Sequence, residues 1–455
     1  MSKSDLQKPD LSVRFAGIAS PNPFWLASGP PTNTGGQVMR AFDAGWGGAV
    51  WKTIGAQVRN TTSRYSSVNL GRRRMMGFSN IELISDRSVE ENLREIAEVK
   101  KRYPKNALVV SLMVESKREA WHEIVQRTED AGADGLELNF GCPHGMNERG
   151  MGSAVGQVPD YTEMITAWVK EKARTPVIVK LTPNITDIRT IARAAMRGGA
   201  DAISAINTIN SITSIDLDTF LPQPNVDGRS THGGYCGPAV KPIALNMVQE
   251  CVKETGLPVS GIGGIGSWRD AAEFLLLGSG TAQVCTAVMH YGFRIVEGMT
   301  NRLAEWMSVK GFASIEDFRG RSLPRVTDWK NLNLNYKIVA RIDEQTCIGC
   351  GLCYTACWDG AYQCIHMDRE SEERNTPFDA EPASVARFAD DPDLARSKRK
   401  HATPLAKIPR VDEVACVGCN LCSLVCPVDD CIQMVEIPNR LDSESWAERT
   451  QAAKL

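Results

Sequence analysis

The chain of 455 residues is predicted to be an α/β protein, a (β/α)8 barrel followed by a small cysteine-rich α+β domain. Three observations point there. Short apolar runs alternate with longer amphipathic stretches from about residue 20 to residue 310. Most of the runs are continuously apolar, as in parallel strands covered on both faces. Beyond them lie two tight cysteine clusters.

The apolar runs are Phe24–Gly29, Gly48–Ile54, Ala107–Met113, Gly135–Phe140, Val177–Leu181, Ala202–Asn207, Val259–Gly263 and Ala282–Ala287. The amphipathic stretches are Gly36–Ala44, Ser88–Arg102, Lys117–Ala131, Pro159–Ala173, Thr186–Gly198, Pro238–Glu254, Ser267–Leu277 and Phe293–Val309. Several end in small-residue turns (AGWGGA, AGADG, GGADA, GSGTA). Glycine supplies the positive φ that a helix C-terminus often adopts. Eight units of each kind fit a closed barrel; an open doubly wound sheet is the other architecture with this alternation.

The barrel is assigned to residues 1–317. Residues 318–336 have little periodicity, contain Pro324 and read as a linker. Residues 337–439 form the small domain. An insertion at about 368–407 interrupts it, crowded with charge and carrying Pro377, Pro382, Pro392 and Pro404. Such a stretch buries too little apolar surface to form a core. Residues 440–455 read as a polar tail.

Composition narrows the function. Hydrophobic residues make up 42%, charged residues 23%, and the net charge is −2. That balance argues against a basic face tracking nucleic-acid phosphates. No apolar run is long enough to span a membrane, and the polar start MSKSDLQKPD lacks the apolar core of a secretory signal. The expectation is a soluble, cytoplasmic protein. In a reducing compartment, 14 cysteines with eight in two clusters point to metal rather than disulfides.

Cys347, Cys350, Cys353 and Cys357 form one C-x2-C-x2-C-x3-C run, and Cys416, Cys419, Cys422 and Cys426, followed by Pro427, form another. Zinc sites usually use two separated pairs, whereas this spacing wraps an iron–sulfur cubane. In two-cluster ferredoxins the fourth cysteine of each run ligates the other cluster. The expected sets are therefore Cys347, Cys350, Cys353 and Cys426, and Cys416, Cys419, Cys422 and Cys357. Trp358 replaces the usual proline after the first run. Cys364 and Cys431 read as structural thiols. Two [4Fe–4S] clusters move single electrons, so a barrel joined to them needs an acceptor that passes between one- and two-electron chemistry; a flavin does so.

Barrel active sites lie at the C-terminal ends of the strands, and those ends are polar here. They carry Ser28, Lys52-Thr53, Asn139 with the loop Gly141-Cys142-Pro143-His144, Lys180, Asn207-Thr208, Gly263-Gly264 and Thr286, with Asn80 on a loop. Together with LASGPPT, SNIELIS, NFGCPHGM, KLTPN, INTINS, HGGYCGPAVKPIAL, SGIGGI and QVCTA, they make the chain similar to the dihydroorotate dehydrogenase-like FMN barrels. More closely, it resembles the C-terminal half of dihydropyrimidine dehydrogenases and the flavin and iron–sulfur subunit of their bacterial two-subunit form. The resemblance covers nearly the whole chain except the 368–407 insertion and the tail.

The resemblance implies Cys142 as general acid, where a lone cysteine is otherwise a small buried hydrophobe. It implies Ser28, Lys52, Thr53, Asn80, Lys180, Gly237, Gly263, Gly264 and Thr286 as FMN contacts. Lysines at strand ends otherwise reach for the barrel rim. Asn80, Asn139, Asn207 and Thr208 offer neutral donors and acceptors, and a carboxamide satisfies one C=O and one N–H of a pyrimidine; each alone suits a turn or cap. His144, Glu148 and Arg149 lie on a glycine-rich loop, Cys142–Gly152, expected to act as a lid.

The glycines of GIGGIG at 261–266 read as a phosphate site of a barrel. Taken as a Rossmann fingerprint they would need an acidic residue about twenty positions on, where Gly278-Ser279-Gly280 stands. The chain is thus expected to take electrons from another protein; the resemblance implies a FAD- and NAD(P)-binding subunit of the PreT type, in a hetero-oligomer with two chains of each kind. NADH and FAD would belong to that partner, and electrons would pass through the two clusters to FMN. The implied reaction is reduction of uracil and thymine to 5,6-dihydropyrimidines. The alternatives are a dihydroorotate dehydrogenase-like reductase with another partner, and an electron carrier with an inactive barrel.

Overall fold

A computed structural model describes residues 9–70, 73–367, 408–438 and 441–452. The chain divides into two compact units, with the boundary at Arg325/Val326.

In the first unit eight parallel strands close into a barrel in sequential order: Phe24–Leu26, Gly48–Ile54, Ala107–Leu112, Gly135–Asn139, Val177–Lys180, Ala202–Ala205, Val259–Ile262 and Ser279–Val284. The eighth closes on the first, with Ala282 paired to Phe24. Every residue of these strands is buried, which is why they read as continuous apolar runs. The long helices Gly35–Ala44, Val89–Arg102, Arg118–Asp130, Pro159–Lys170, Ile188–Arg197, Lys241–Thr255, Trp268–Leu276 and Ile295–Lys310 each follow one strand. Their starts have local causes: Thr34 with Gln37, and Ser88 with Glu91, form reciprocal caps that satisfy otherwise orphaned amides.

Two features of this unit go beyond the periodicity. A hairpin of Val13–Phe15 and Ile18–Ser20 precedes the first barrel strand. Its Phe15 and Ile18 pack with Trp25, Val50, Val109 and Ile178, filling the N-terminal end of the barrel. The strands Tyr65–Leu70, Arg73–Asn80, Gly233–Cys236 and Ile209–Ser211 form a separate sheet. Asn80, expected on a loop, ends one of these strands and pairs with Gly234.

The expected linker 318–336 is corrected in its first part. Phe318 is fully buried, stacked on Phe312 at 5.4 Å and edge-on to Trp306 at 5.1 Å. Gly320 and Ser322 donate backbone hydrogen bonds to Leu275 and Leu276. Burial of one aromatic anchors a segment that has no periodicity of its own. Phe318→Ala is expected to destabilise the barrel by about 3–5 kcal/mol, measured by chemical denaturation followed through the unit's tryptophans.

The second unit pairs Ile338–Ile342 with Ile432–Glu436, and Ile365–His366 with Arg410–Val411, all antiparallel. Two short helices, Leu352–Trp358 and Leu421–Val425, follow the two cysteine loops. The loops repeat each other. Asp343 and Asp412 each accept the amide two residues on, through Gln345 and Val414, and Gly351 and Asn420 each enter their helix in the left-handed conformation. The expected tail also belongs here: Leu334 donates to Glu444 and Asn335 to Asp442, and Trp446 of the helix Trp446–Ala452 packs near Trp329. The proposed insertion at 368–407 lies outside the described residues.

Candidate active site and cluster sites

A cleft opens among the C-terminal ends of the barrel strands. Its lining includes every residue expected to donate the proton or to bind substrate or FMN: Ser28, Lys52, Thr53, Asn80, Asn139, Cys142, Lys180, Asn207, Thr208, Gly237, Gly263, Gly264 and Thr286. Strand ends separated by up to a quarter of a thousand residues meet there because the sheet closes on itself.

Hydrogen bonds tie several of these groups together. Asn207 Nδ2 donates to Asn139 Oδ1 at 2.9 Å, and Asn139 Nδ2 donates to Thr53 Oγ1 at 2.9 Å. The Thr53 amide donates to Ser28 Oγ at 3.1 Å, and the Thr53 and Ser111 hydroxyls lie 2.9 Å apart. The Thr208 amide donates to Asn207 Oδ1 at 2.8 Å, and Asn80 Nδ2 to the Gly234 carbonyl at 3.0 Å.

Both cleft lysines are almost fully buried and face a carboxylate: Lys52 pairs with Glu82, and Lys180 Nζ lies 3.6 Å from Glu137 Oε1. Glu82 also accepts from the Tyr65 hydroxyl. Burial, then the Glu82 carboxylate, pushes the Tyr65 phenol up. Glu82, Tyr65 and Glu137 were not selected from the sequence. Their position beside a strand-end lysine is the signal: a buried ammonium requires a partner.

Cys142 is 9% exposed, and its thiol is oriented towards the His144 carbonyl at 3.5 Å. Burial pushes the thiol up to about 11, against smaller opposing effects from the His144 backbone and the Lys180 charge. His144 Nε2 lies 3.0 Å from the Glu82 carbonyl, and burial lowers its basicity. The loop expected as a lid is packed down here: Cys142, Met146 and Met151 share a cluster with Val58, Ile84 and Met113, while Glu148 and Arg149 are exposed. Cys236 and Cys285 also line the cleft, and burial raises them to about 11 and about 12.

The glycines fit a flavin phosphate. Gly263 and Gly264 have φ of 130° and 72°. A Cβ on Gly264 would stand 2.9 Å from the Lys241 amide nitrogen and 3.0 Å from the Gly237 carbonyl, and one on Gly237 would stand 2.9 Å from Gly77 Cα. Only glycine lets these backbones meet, and backbone amides exposed in such a cradle suit a phosphate. The two lysines would serve the ring portion.

In the second unit, Cys347, Cys350, Cys353 and Cys426 line one small cavity, and Cys357, Cys416, Cys419 and Cys422 line another. Each void thus collects the first three cysteines of one run and the fourth of the other. Cys431 lines the first cavity and Cys364 the second, with Cys364 Sγ 3.4 Å from Cys357 Sγ. Five cysteines line each void, the four of the expected set among them, and four soft thiol donors fit an iron–sulfur cubane.

Barrel, cleft and thiol-lined voids together define a flavin-type dehydrogenase carrying an iron–sulfur domain. Residues 10–307 match the dihydroorotate dehydrogenase family, and residues 340–379 match the 4Fe-4S dicluster domain. The second cysteine run lies beyond the latter match. The NAD-dependent dihydropyrimidine dehydrogenase subunit PreA of Escherichia coli is 43% identical over 372 residues, 81% of this chain and 89% of that protein. The chloroplastic dihydropyrimidine dehydrogenase (NADP(+)) of Arabidopsis thaliana is 44% identical over 346 residues, 73% of this chain and 81% of that protein. The catalytic subunit of dihydroorotate dehydrogenase B (NAD(+)) of Pyrococcus horikoshii is 37% identical over 313 residues, 69% of this chain and 98% of that protein. The chain belongs to the dihydroorotate dehydrogenase family and, within it, is a PreA-like oxidoreductase. Among the described residues no helix is long and apolar enough to cross a membrane.

Proposed function

We propose that the chain reduces uracil and thymine to their 5,6-dihydro forms as the flavin and iron–sulfur subunit of a cytoplasmic NAD-dependent dihydropyrimidine dehydrogenase. The observation that carries this reading is a buried Cys142 thiol in one cleft with Asn80, Asn139, Asn207 and Thr208. Both cleft lysines already face carboxylates. The remaining polar lining named here is neutral, which suits an uncharged pyrimidine better than the carboxylated orotate.

FMN, when bound, supplies the hydride for C6 of the ring. Ser28, Lys52, Thr53, Asn80, Lys180, Gly237, Gly263, Gly264 and Thr286 would hold it. The asparagines and Thr208 bind the ring and polarise its carbonyls. Cys142 gives its proton to C5: the S–H bond breaks as the C–H bond forms. The thiolate left behind is favoured by the nearby Lys180 charge. The two cysteine sets would each hold a [4Fe–4S] cluster and admit electrons from a FAD- and NAD(P)-binding partner, in an assembly with two chains of each kind.

Dithionite-reduced protein is expected to turn over uracil and thymine. Turnover of orotate but not uracil would overturn the substrate assignment, and no turnover of any pyrimidine would favour an electron carrier. The purified chain alone is expected not to oxidise NADH, whereas dithionite reduces its flavin. Sustained NADH oxidation with uracil, assayed on the single chain, would refute the need for a partner.

A further inference from the structure

We propose that Glu137 is a positioning residue that acts through Lys180, and that the pair sets how strongly the cleft stabilises a reduced flavin. The proposal rests on the reading that the cleft binds FMN. Glu137 lies on the fourth barrel strand, two residues before Asn139, so the two share a face. Asn139 and Ser204 flank Lys180 in the sheet register.

The Glu137 side chain has no exposure. Ser204 Oγ donates to its Oε2 at 2.9 Å, while among the described residues its Oε1 accepts no hydrogen bond. The charge facing Oε1 is Lys180 Nζ at 3.6 Å. That is an ion pair, but too long for an N–H···O hydrogen bond, so the ammonium keeps its donors for the cleft it lines.

As a purely structural device the arrangement is poor. A buried carboxylate with one unsatisfied oxygen is costly, and an apolar side chain of similar volume would often stabilise the barrel as well or better. Its use is clear once Lys180 has a task. The carboxylate holds the cation in place and partly offsets its charge. Negative charge that develops on a flavin ring during reduction then meets a tempered cation. Without the carboxylate, Lys180 would favour the reduced, anionic form more strongly.

The test is a redox titration of the purified flavin-loaded full chain, read at the flavin band, with flavin content and Tm measured in parallel. Glu137→Gln keeps the shape and an acceptor for Ser204 but removes the charge. It is expected to shift the two-electron equilibrium at least tenfold towards reduced flavin, an upward shift of about 30 mV. Lys180→Met is expected to shift it the other way. Glu137→Gln added to Lys180→Met is expected to shift it less than Glu137→Gln does in the wild type, because part of the carboxylate's effect is exerted by holding the lysine in place.

An unchanged potential in Glu137→Gln, even with a lowered Tm, would overturn the proposal. So would an equal shift in the Lys180→Met background. If Glu137→Gln does not fold, Glu137→Asp retracts the charge from Nζ and should raise the potential by a smaller amount; no rise would overturn the proposal. Wild-type protein that binds no flavin would overturn the cofactor reading and this proposal together, whereas loaded protein with an unmoved potential refutes only the latter.

Discussion

Cys142→Ala is expected to slow single-turnover oxidation of the pre-reduced protein by uracil by about 10²–10⁴-fold, the usual contribution of a positioned general acid. Flavin content and uracil binding should persist, because Asn80, Asn139, Asn207 and Thr208 remain. The structure adds a pH signature. Proton donation needs the thiol, and burial raises Cys142 to about 11. The acid form is therefore present throughout the neutral and mildly alkaline range and is lost only as pH rises through about 11. The wild-type single-turnover rate should carry no falling limb near the ordinary cysteine value of about 8.5. Cys142→Ser should also be slow, since a hydroxyl is a far weaker acid. A merely structural cysteine would instead lose activity only with the folded fraction, so thermal stability is measured alongside. Near-wild-type turnover in the alanine variant would transfer the role to another group on the loop. His144 is the first candidate, because its buried Nδ1 has no hydrogen-bond partner among the described residues.

Loss of one cluster is expected to unfold the small unit while the barrel keeps its flavin. Among the described residues, six of the ten buried residues in the core of that unit are cysteines: Cys353, Cys357, Cys364, Cys416, Cys422 and Cys431. The other four are Val339, Ala340, Ile365 and Ile432, too few apolar side chains to order the unit unaided. Cluster binding is then part of folding. Cys350→Ala or Cys419→Ala should remove about half of the iron if only its own cluster is lost, and more if the unit collapses. Limited proteolysis should cut the second unit in either variant. The barrel has its own core and should stay flavin-loaded. Two zinc ions and no acid-labile sulfide in the wild type would refute the iron–sulfur reading.

The barrel was legible because its strands are buried on all sides, so each left an uninterrupted apolar run such as Gly48–Ile54 or Ala107–Leu112. The helix starts were legible through caps such as Ser88 with Glu91. The N-terminal hairpin was missed because three-residue strands carry too little pattern to register. Residues 318–325 were misread as linker because one fully buried aromatic, Phe318, leaves no periodic trace. Asn80 was recognised as a site residue but not as part of a strand, since its strand pairs with Gly233–Cys236, more than 150 positions away.

By itself the sequence determined what depends on local order: the strand and helix periods, the cysteine spacing, and the polar residues at the strand ends. Spacing within one run of chain is enough for those, because neighbours in sequence are neighbours in space. The tertiary structure decided which charges meet. Lys52 faces Glu82, 30 positions on, and Lys180 faces Glu137 only because their strands are adjacent in the closed barrel. The exchange of Cys357 and Cys426 between the two voids follows a known spacing rule, but the voids themselves exist only once the paired strands Ile338–Ile342 and Ile432–Glu436 bring the two loops together. Burial is likewise a property of the folded whole. It raises the Cys142 thiol to about 11, and no pattern of residues around position 142 encodes the desolvation that does so.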